Sequence, residues 1–354
     1  MLPIPRTLLA EVGSERVAYD GRAMTSEPAA RPEAGTLRHD ALFYRSDDDY
    51  VTGIRSFVEA GVAAGEPVLV AVPGSRLDLL RTALGASTEL RFVDMAREGR
   101  NPGWIIPGVL HAFVEEHAPV RVRVVGEPIW PGRSVLAYPR CVQHEALINI
   151  ALASRPVSVL CPYDAVRLDV DVIADAASTH PFLIRDGDRQ ASAGYGRPES
   201  VVDSFNLPFP TPPSTASMLF FEAAGLSGMR AMVAALAREA GLDPDQVEDL
   251  RVAANEIATN AVVHSGRPAV ARVWLDEDGL VCEITGSSVL TDRLAGRLPP
   301  SPVSDTGRGL LLVNYLCDLV QVHTDSTSTA IRLHMHRRVE PATGPAPATG
   351  VGPT

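Results

Sequence analysis

The amino-acid sequence predicts an α/β protein in two parts: a three-layer sheet domain with largely parallel strands, then an α/β sandwich. Three observations lead there. Between residues 37 and 184, β-rich runs alternate with helical stretches, the order of a parallel sheet with crossover helices. From residue 215 to 338 the order changes: a strand, two successive helices, and then strand pairs around a third helix. Residues 185–214 between them are Gly-rich and then Pro-rich, which predicts a linker that is flexible and then stiff.

Length and composition fit that division. A chain of 354 residues can bury two cores. With 45% hydrophobic and 21% charged residues it has an ordinary soluble composition. A net charge of −11 argues against nucleic-acid and anionic-membrane partners, because both need basic patches. No apolar run approaches a membrane span, and Met1-Leu2-Pro3-Ile4-Pro5-Arg6 lacks a signal-peptide pattern, so a cytoplasmic location is expected. Cys141, Cys161, Cys282 and Cys317 show no redox or metal spacing and are expected as reduced core thiols. Residues 1–36 and the tail 339–354 are expected to be poorly ordered.

In the first domain, strands are expected at 41–44, 67–72, 90–93, 121–126 and 157–161, with helices near 47–64, 75–84, 103–117, 138–153 and 169–178. Ile54, Phe57, Val58 and Val62 mark one helix face. Such sheets bind ligands at the carboxyl ends of their strands. Neither a P-loop nor a dinucleotide-binding glycine pattern follows any strand here. Glu127, after one strand end, reads as a solvated loop carboxylate more readily than as a ligand contact. His39, His144 and His180 are too far apart in sequence to define a metal site by themselves.

The motifs His39-Asp40-Ala41-Leu42-Phe43-Tyr44, Gly65-Glu66-Pro67-Val68, Val125-Gly126-Glu127 and Cys161-Pro162-Tyr163-Asp164 resemble the sensory domain of methanogen and methylotroph regulators, MEDS. The resemblance implies a RecA-like module that senses an undefined input.

The second domain opens with a strand at 217–221. Ser227 is expected to cap the next helix, whose stripe is Met229, Met232, Val233 and Leu236, with Gly241 at its end. A long helix follows. Asp243 caps it, Pro244 takes its first position, and Gln246 stands three residues after the cap. Leu250, Ala253, Ala254, Ile257, Ala258 and Ala261 form its apolar stripe, and Gly266 and Pro268 stop it. Strands are expected at 269–275 and 280–285, then a Pro-rich loop over 287–306, a helix through Leu316, and a hairpin of 319–324 with 329–335. The expected product is a mixed sheet covered on one face by helices.

Glu256 and Asn260 are four apart and share a helix face. A carboxylate and an amide oxygen can accept a proton and ligate a hard cation. Gly307 and Gly309 flank Arg308 at a helix start, where free N–H groups can cradle an anion. Each feature alone is ordinary: a solvated helix face, and a tight turn. Their order, with strands between them, resembles the GHKL (Bergerat) ATP-binding fold, and within it the anti-sigma-factor serine/threonine kinases.

That resemblance implies ATP and Mg²⁺ as cofactors. Glu256 would be the catalytic base, Asn260 the Mg²⁺ ligand, and Gly307, Arg308, Gly309 and Leu310 the phosphate-binding turn. The Pro-rich loop would be the lid. Partners would be a sigma factor or an anti-sigma antagonist protein, with no nucleic acid and no membrane, and a homodimer is compatible with it. One departure stands out. Where the family places Asp-x-Gly against adenine, this chain has Gly286-Ser287-Ser288. Loss of that charge-assisted contact costs about 1.5–3 kcal/mol. Asp292 lies past the strand end and is a poor replacement.

His264, at the helix end, is expected to be packed or hydrogen-bonded. A phosphoacceptor histidine would need a dimerising helix pair, and no long heptad pattern exists. Three functions follow in order of preference. The first is a sensor-controlled, Mg·ATP-dependent serine/threonine kinase. The second is a non-catalytic pseudokinase that sequesters a sigma factor or its antagonist. The third, disfavoured, is the catalytic half of a sensor histidine kinase.

Overall fold

The computed structural model describes residues 36–85, 90–263, 265–299 and 308–338. The expectations for the first 35 residues, the tail from 339, His264 and Gly307 lie outside these. Among the described residues, no helix is long and apolar enough to cross a membrane.

The first sheet has seven strands in the order β3-β2-β4-β5-β1-β6-β7. They are β1 (Arg38–Tyr44), β2 (Val68–Val72), β3 (Leu90–Asp94), β4 (Val122–Gly126), β5 (Val157–Asp164), β6 (Phe182–Arg185) and β7 (Asp188–Ala191). All neighbours are parallel except β6 and β7. Side-chain alternation on β1 divides two cores. Ala41 and Phe43 enter the larger one, while Leu42 and Tyr44 enter the other. Helices α1 (Asp47–Ala63) and α2 (Gly74–Leu84) cover the second face. The first is covered by α3 (Pro102–Trp104) running through a π-helical segment, Ile105–His111, into α4 (Ala112–His117), and by α5 (Tyr138–Ala151), α6 (Val170–Thr179) and α7 (Pro198–Ser204). The expected three-layer architecture is what forms.

Local chemistry explains several starts. The Ser46 hydroxyl accepts the Asp49 N–H at 3.1 Å, and Asp47, Asp48 and Asp49 fill the positive first turn of α1. Pro107, with no N–H to donate, lies in the π-helical segment.

The stretch expected as a flexible linker contains structure. β6 and β7 form a hairpin closed by Asp186 and Gly187, both at positive φ, and α7 sends Val201 and Val202 into the first domain's core.

The second sheet has five strands in the order β11-β12-β10-β9-β8. They are β8 (Ser217–Phe221), β9 (Ala269–Leu275), β10 (Gly279–Gly286), β11 (Leu319–Thr324) and β12 (Thr329–His336). Every neighbouring pair is antiparallel, so the sheet is not mixed. Helices α8 (Leu226–Glu239), α9 (Pro244–Val263) and α10 (Arg308–Leu316) bury their apolar stripes in its core. The start of α9 is a reciprocal capping box: Gln246 N–H donates to Asp243 Oδ1 at 2.9 Å, and Asp243 N–H to Gln246 Oε1 at 3.3 Å. Ser227 does not cap α8. A 3₁₀ turn, Ala223–Gly225, leads into that helix, and Ser227 lies inside it.

The two sheets share a junction. Leu319 of β11 belongs to the first domain's core, and Leu294 and Leu298 pack against it. Arg293 forms a two-pronged bond with Asp203, at 2.8 and 2.7 Å. The fully buried Arg297 donates to the Pro102 carbonyl at 2.5 Å.

Candidate functional site

Helix α9 carries Glu256 and Asn260 on the face that meets α10. A Cβ added at Gly309 would lie 2.9 Å from Glu256 Oε2 and 3.4 Å from Asn260 Nδ2. The carboxylate and the amide therefore sit directly against the backbone at the start of α10, where first-turn N–H groups have no helical partners. A side chain at position 309 would fill this space. Arg308 is exposed beside it, while Leu310 is half-buried and packs on the second core.

The opposite end of the region differs. A Cβ added at Gly286 would meet the Ala261 Cβ at 2.7 Å, so the end of β10 lies hard against α9. Glycine there permits a close approach of strand and helix. The Ser288 hydroxyl is buried and has no partner among the described residues. The described part of the Pro-rich loop packs Leu294 and Leu298 on the first domain's core, and Asn314 of α10 holds it from the other side, its Nδ2 donating to the Gly296 carbonyl at 3.0 Å.

The first domain holds two polar clusters. Glu127, expected to be solvated, is only 1% exposed. It lies just past β4, at the carboxyl edge of the sheet, and accepts the Tyr50 hydroxyl at 2.8 Å. Burial pushes its carboxyl up to about 8, against the pull of the Tyr50 bond and the Arg76 charge. Arg76 stacks over Tyr50, 4.7 Å from the ring centre, and bonds Asp47. The second cluster joins His39 and His180 with Glu145 and Cys161. Sequence spacing could not reveal it, because the four residues come from separate elements. His144 is not among them; burial lowers its imidazole to about 3.

Two family models match the chain. Residues 38–181 match the family described as MEDS, the methanogen/methylotroph, DcmR sensory domain. Residues 221–335 match the histidine kinase-like ATPase domain. The serine-protein kinases RsbW of Bacillus cereus strains AH187 and Q1 are each 28% identical over 116 residues, which is 29% of this chain and 72% of theirs. A crystal structure of the RsbU and RsbW domains of a Mycobacterium tuberculosis protein is 18% identical, with a TM-score of 0.25. That similarity covers 37% of this chain and 35% of the other. The chain thus carries a MEDS domain followed by a histidine kinase-like ATPase domain, the latter similar to the RsbW serine-protein kinases.

Proposed function

We propose that the second domain is a protein serine/threonine kinase that uses Mg·ATP, acts on a sigma-factor antagonist, and is controlled by the first domain. The observation that carries this is the meeting of Glu256 and Asn260 with the Gly309 backbone at the start of α10. These residues fit the phosphate end of a nucleotide: an amide for the cation, a carboxylate for a proton, and a backbone cradle that a Cβ would fill. Bound Mg·ATP would supply the phosphoryl group. Asn260 would hold Mg²⁺, and Gly309 with its neighbours would cradle the phosphates. Glu256 would take the proton of the substrate hydroxyl as its oxygen bonds to the γ-phosphorus and ADP leaves. At the base end, the Ser288 hydroxyl, which has no partner among the described residues, would be available to adenine.

A second reading has its own support. Gly286 offers adenine no side chain, and its packing on Ala261 leaves no room for one. A pseudokinase that sequesters a sigma factor or its antagonist by surface contact fits that loss.

Calorimetric titration of the full-length protein with Mg·ATP separates them. Micromolar binding that weakens on Asn260→Ala supports the kinase, and absence of binding at millimolar nucleotide supports the pseudokinase. Glu256→Gln should abolish phosphotransfer while sparing ATP binding. Turnover that survives this change removes Glu256 as the base.

A further inference from the structure

We infer that His39, Glu145, Cys161 and His180 form a buried site for a divalent transition-metal ion of the Zn²⁺ type inside the first domain. It is independent of the nucleotide reading. His39 lies near the start of β1, Cys161 on the neighbouring β5, Glu145 on α5, and His180 just after α6. Four elements remote in sequence thus deliver four metal-binding side chains to one point. Their ligand atoms all lie within 4.8 Å of one another, and all four residues are buried.

The spacing fits tetrahedral coordination. Metal–ligand bonds of about 2.0–2.3 Å place neighbouring ligand atoms roughly 3.3–3.7 Å apart. Here His39 Nε2 is 3.1 Å and His180 Nε2 3.3 Å from Glu145 Oε2, while the Cys161 sulfur is 3.4 Å from both His39 Nε2 and Glu145 Oε2. The two remaining separations, from His180 Nε2 to His39 Nε2 and to the Cys161 sulfur, stay within 4.8 Å, so a cation at the centre would draw those atoms together while the closer ones move slightly apart.

The surrounding hydrogen bonds turn the right atoms inward. His180 Nδ1 faces the Ala176 carbonyl at 2.8 Å, an acceptor, so Nδ1 carries the hydrogen. Asn149 donates its Nδ2 to the Thr179 carbonyl at 2.8 Å, which turns its Oδ1 toward His39 Nδ1, 3.2 Å away. With Nδ1 of each ring facing an outside acceptor, it is Nε2 that is aimed at the cluster and free to bind a metal, as in metal-binding histidines held from outside by an acceptor. Two imidazole nitrogens, a carboxylate and a sulfur then converge in a buried site. Glu145 Oε1 has no hydrogen-bond partner among the described residues. A divalent ion resolves this, because its charge balances one carboxylate and one thiolate and leaves the interior neutral. Imidazole and thiolate select Zn²⁺-like ions over Mg²⁺ and Ca²⁺.

The test uses the full-length protein, stripped by a chelator and titrated with Zn²⁺ or Co²⁺. One equivalent per chain should bind, with a thiolate-to-cobalt charge-transfer band and the intense visible bands of tetrahedral cobalt, all insensitive to excess Mg²⁺. Zn²⁺ should raise the Tm of the wild-type protein. Cys161→Ser should lose the charge-transfer band and weaken binding about 10–100-fold or more. The cobalt spectrum of the wild-type chain needs no variant, so the test holds even if Cys161→Ser fails to fold. Absence of stoichiometric binding, octahedral cobalt without a thiolate band, or a spectrum unchanged in Cys161→Ser overturns the site.

Discussion

Asn101 and Asn314 hold each other across the two domains. Asn101 Nδ2 donates to the Asn314 backbone carbonyl at 2.8 Å and to its side-chain oxygen at 3.2 Å. The same Asn101 caps α3 by accepting the Gly103 N–H at 2.9 Å. Both residues are 1% exposed, so nothing from solvent replaces these bonds. Asn101→Ala should lower unfolding stability by about 2–4 kcal/mol, a lost cap plus stranded buried groups. Denaturant unfolding of the full chain measures it.

Gly309→Ala should separate nucleotide affinity from stability. Alanine favours the helix by about 0.5–1 kcal/mol, which offsets crowding by the new methyl. That methyl lands 2.9 Å from Glu256 Oε2 and displaces the carboxylate. If the kinase reading holds, Mg·ATP affinity falls at least about tenfold while Tm changes little. Equal losses in both would indicate a packing role alone.

Restoring the adenine contact by one substitution should fail. Gly286→Asp puts a Cβ 2.7 Å from the Ala261 Cβ, an overpacking of about 1–3 kcal/mol. Pairing it with Ala261→Gly removes the nearest contact and leaves the backbone Cα of residue 261 at 3.2 Å. The double variant should bind Mg·ATP more tightly than Gly286→Asp alone, as read by calorimetry.

Glu127 should make stability depend on pH. Its carboxyl is raised to about 8 in the folded protein, from the usual 4.5. The native state therefore keeps a proton that the unfolded chain has released. Its contribution is complete below about 4.5 and is lost as pH rises through about 8, at roughly 1.4 kcal/mol per unit. Glu127→Gln should flatten the fall in urea midpoint across that range. An unchanged slope would place the titration elsewhere.

Much of the fold was legible because its signals are local. The Asp243–Gln246 capping box, the stripe from Leu250 to Ala261, and Gly266 at φ 62° mark α9 without reference to the rest of the chain. β7 was not legible. All four of its residues are exposed at a sheet edge, so they show no polar–apolar alternation. Helix α7 is short and buries only Val201 and Val202. The pairing of Glu256 with Asn260 could be read from their spacing, whereas the burial of Glu127 and the meeting of His39 with His180 depend on packing between distant segments.

Leu319 opens a strand of the kinase-like sheet yet is part of the sensory domain's interior, and Arg297 is sealed against the Pro102 carbonyl. Severing the chain between the halves would expose raw apolar surface on one piece and a hole on the other. Heating the intact protein should therefore give a single calorimetric peak, and grafting the second domain onto another protein would require Leu294, Leu298 and Leu319 to be redesigned along with the linker.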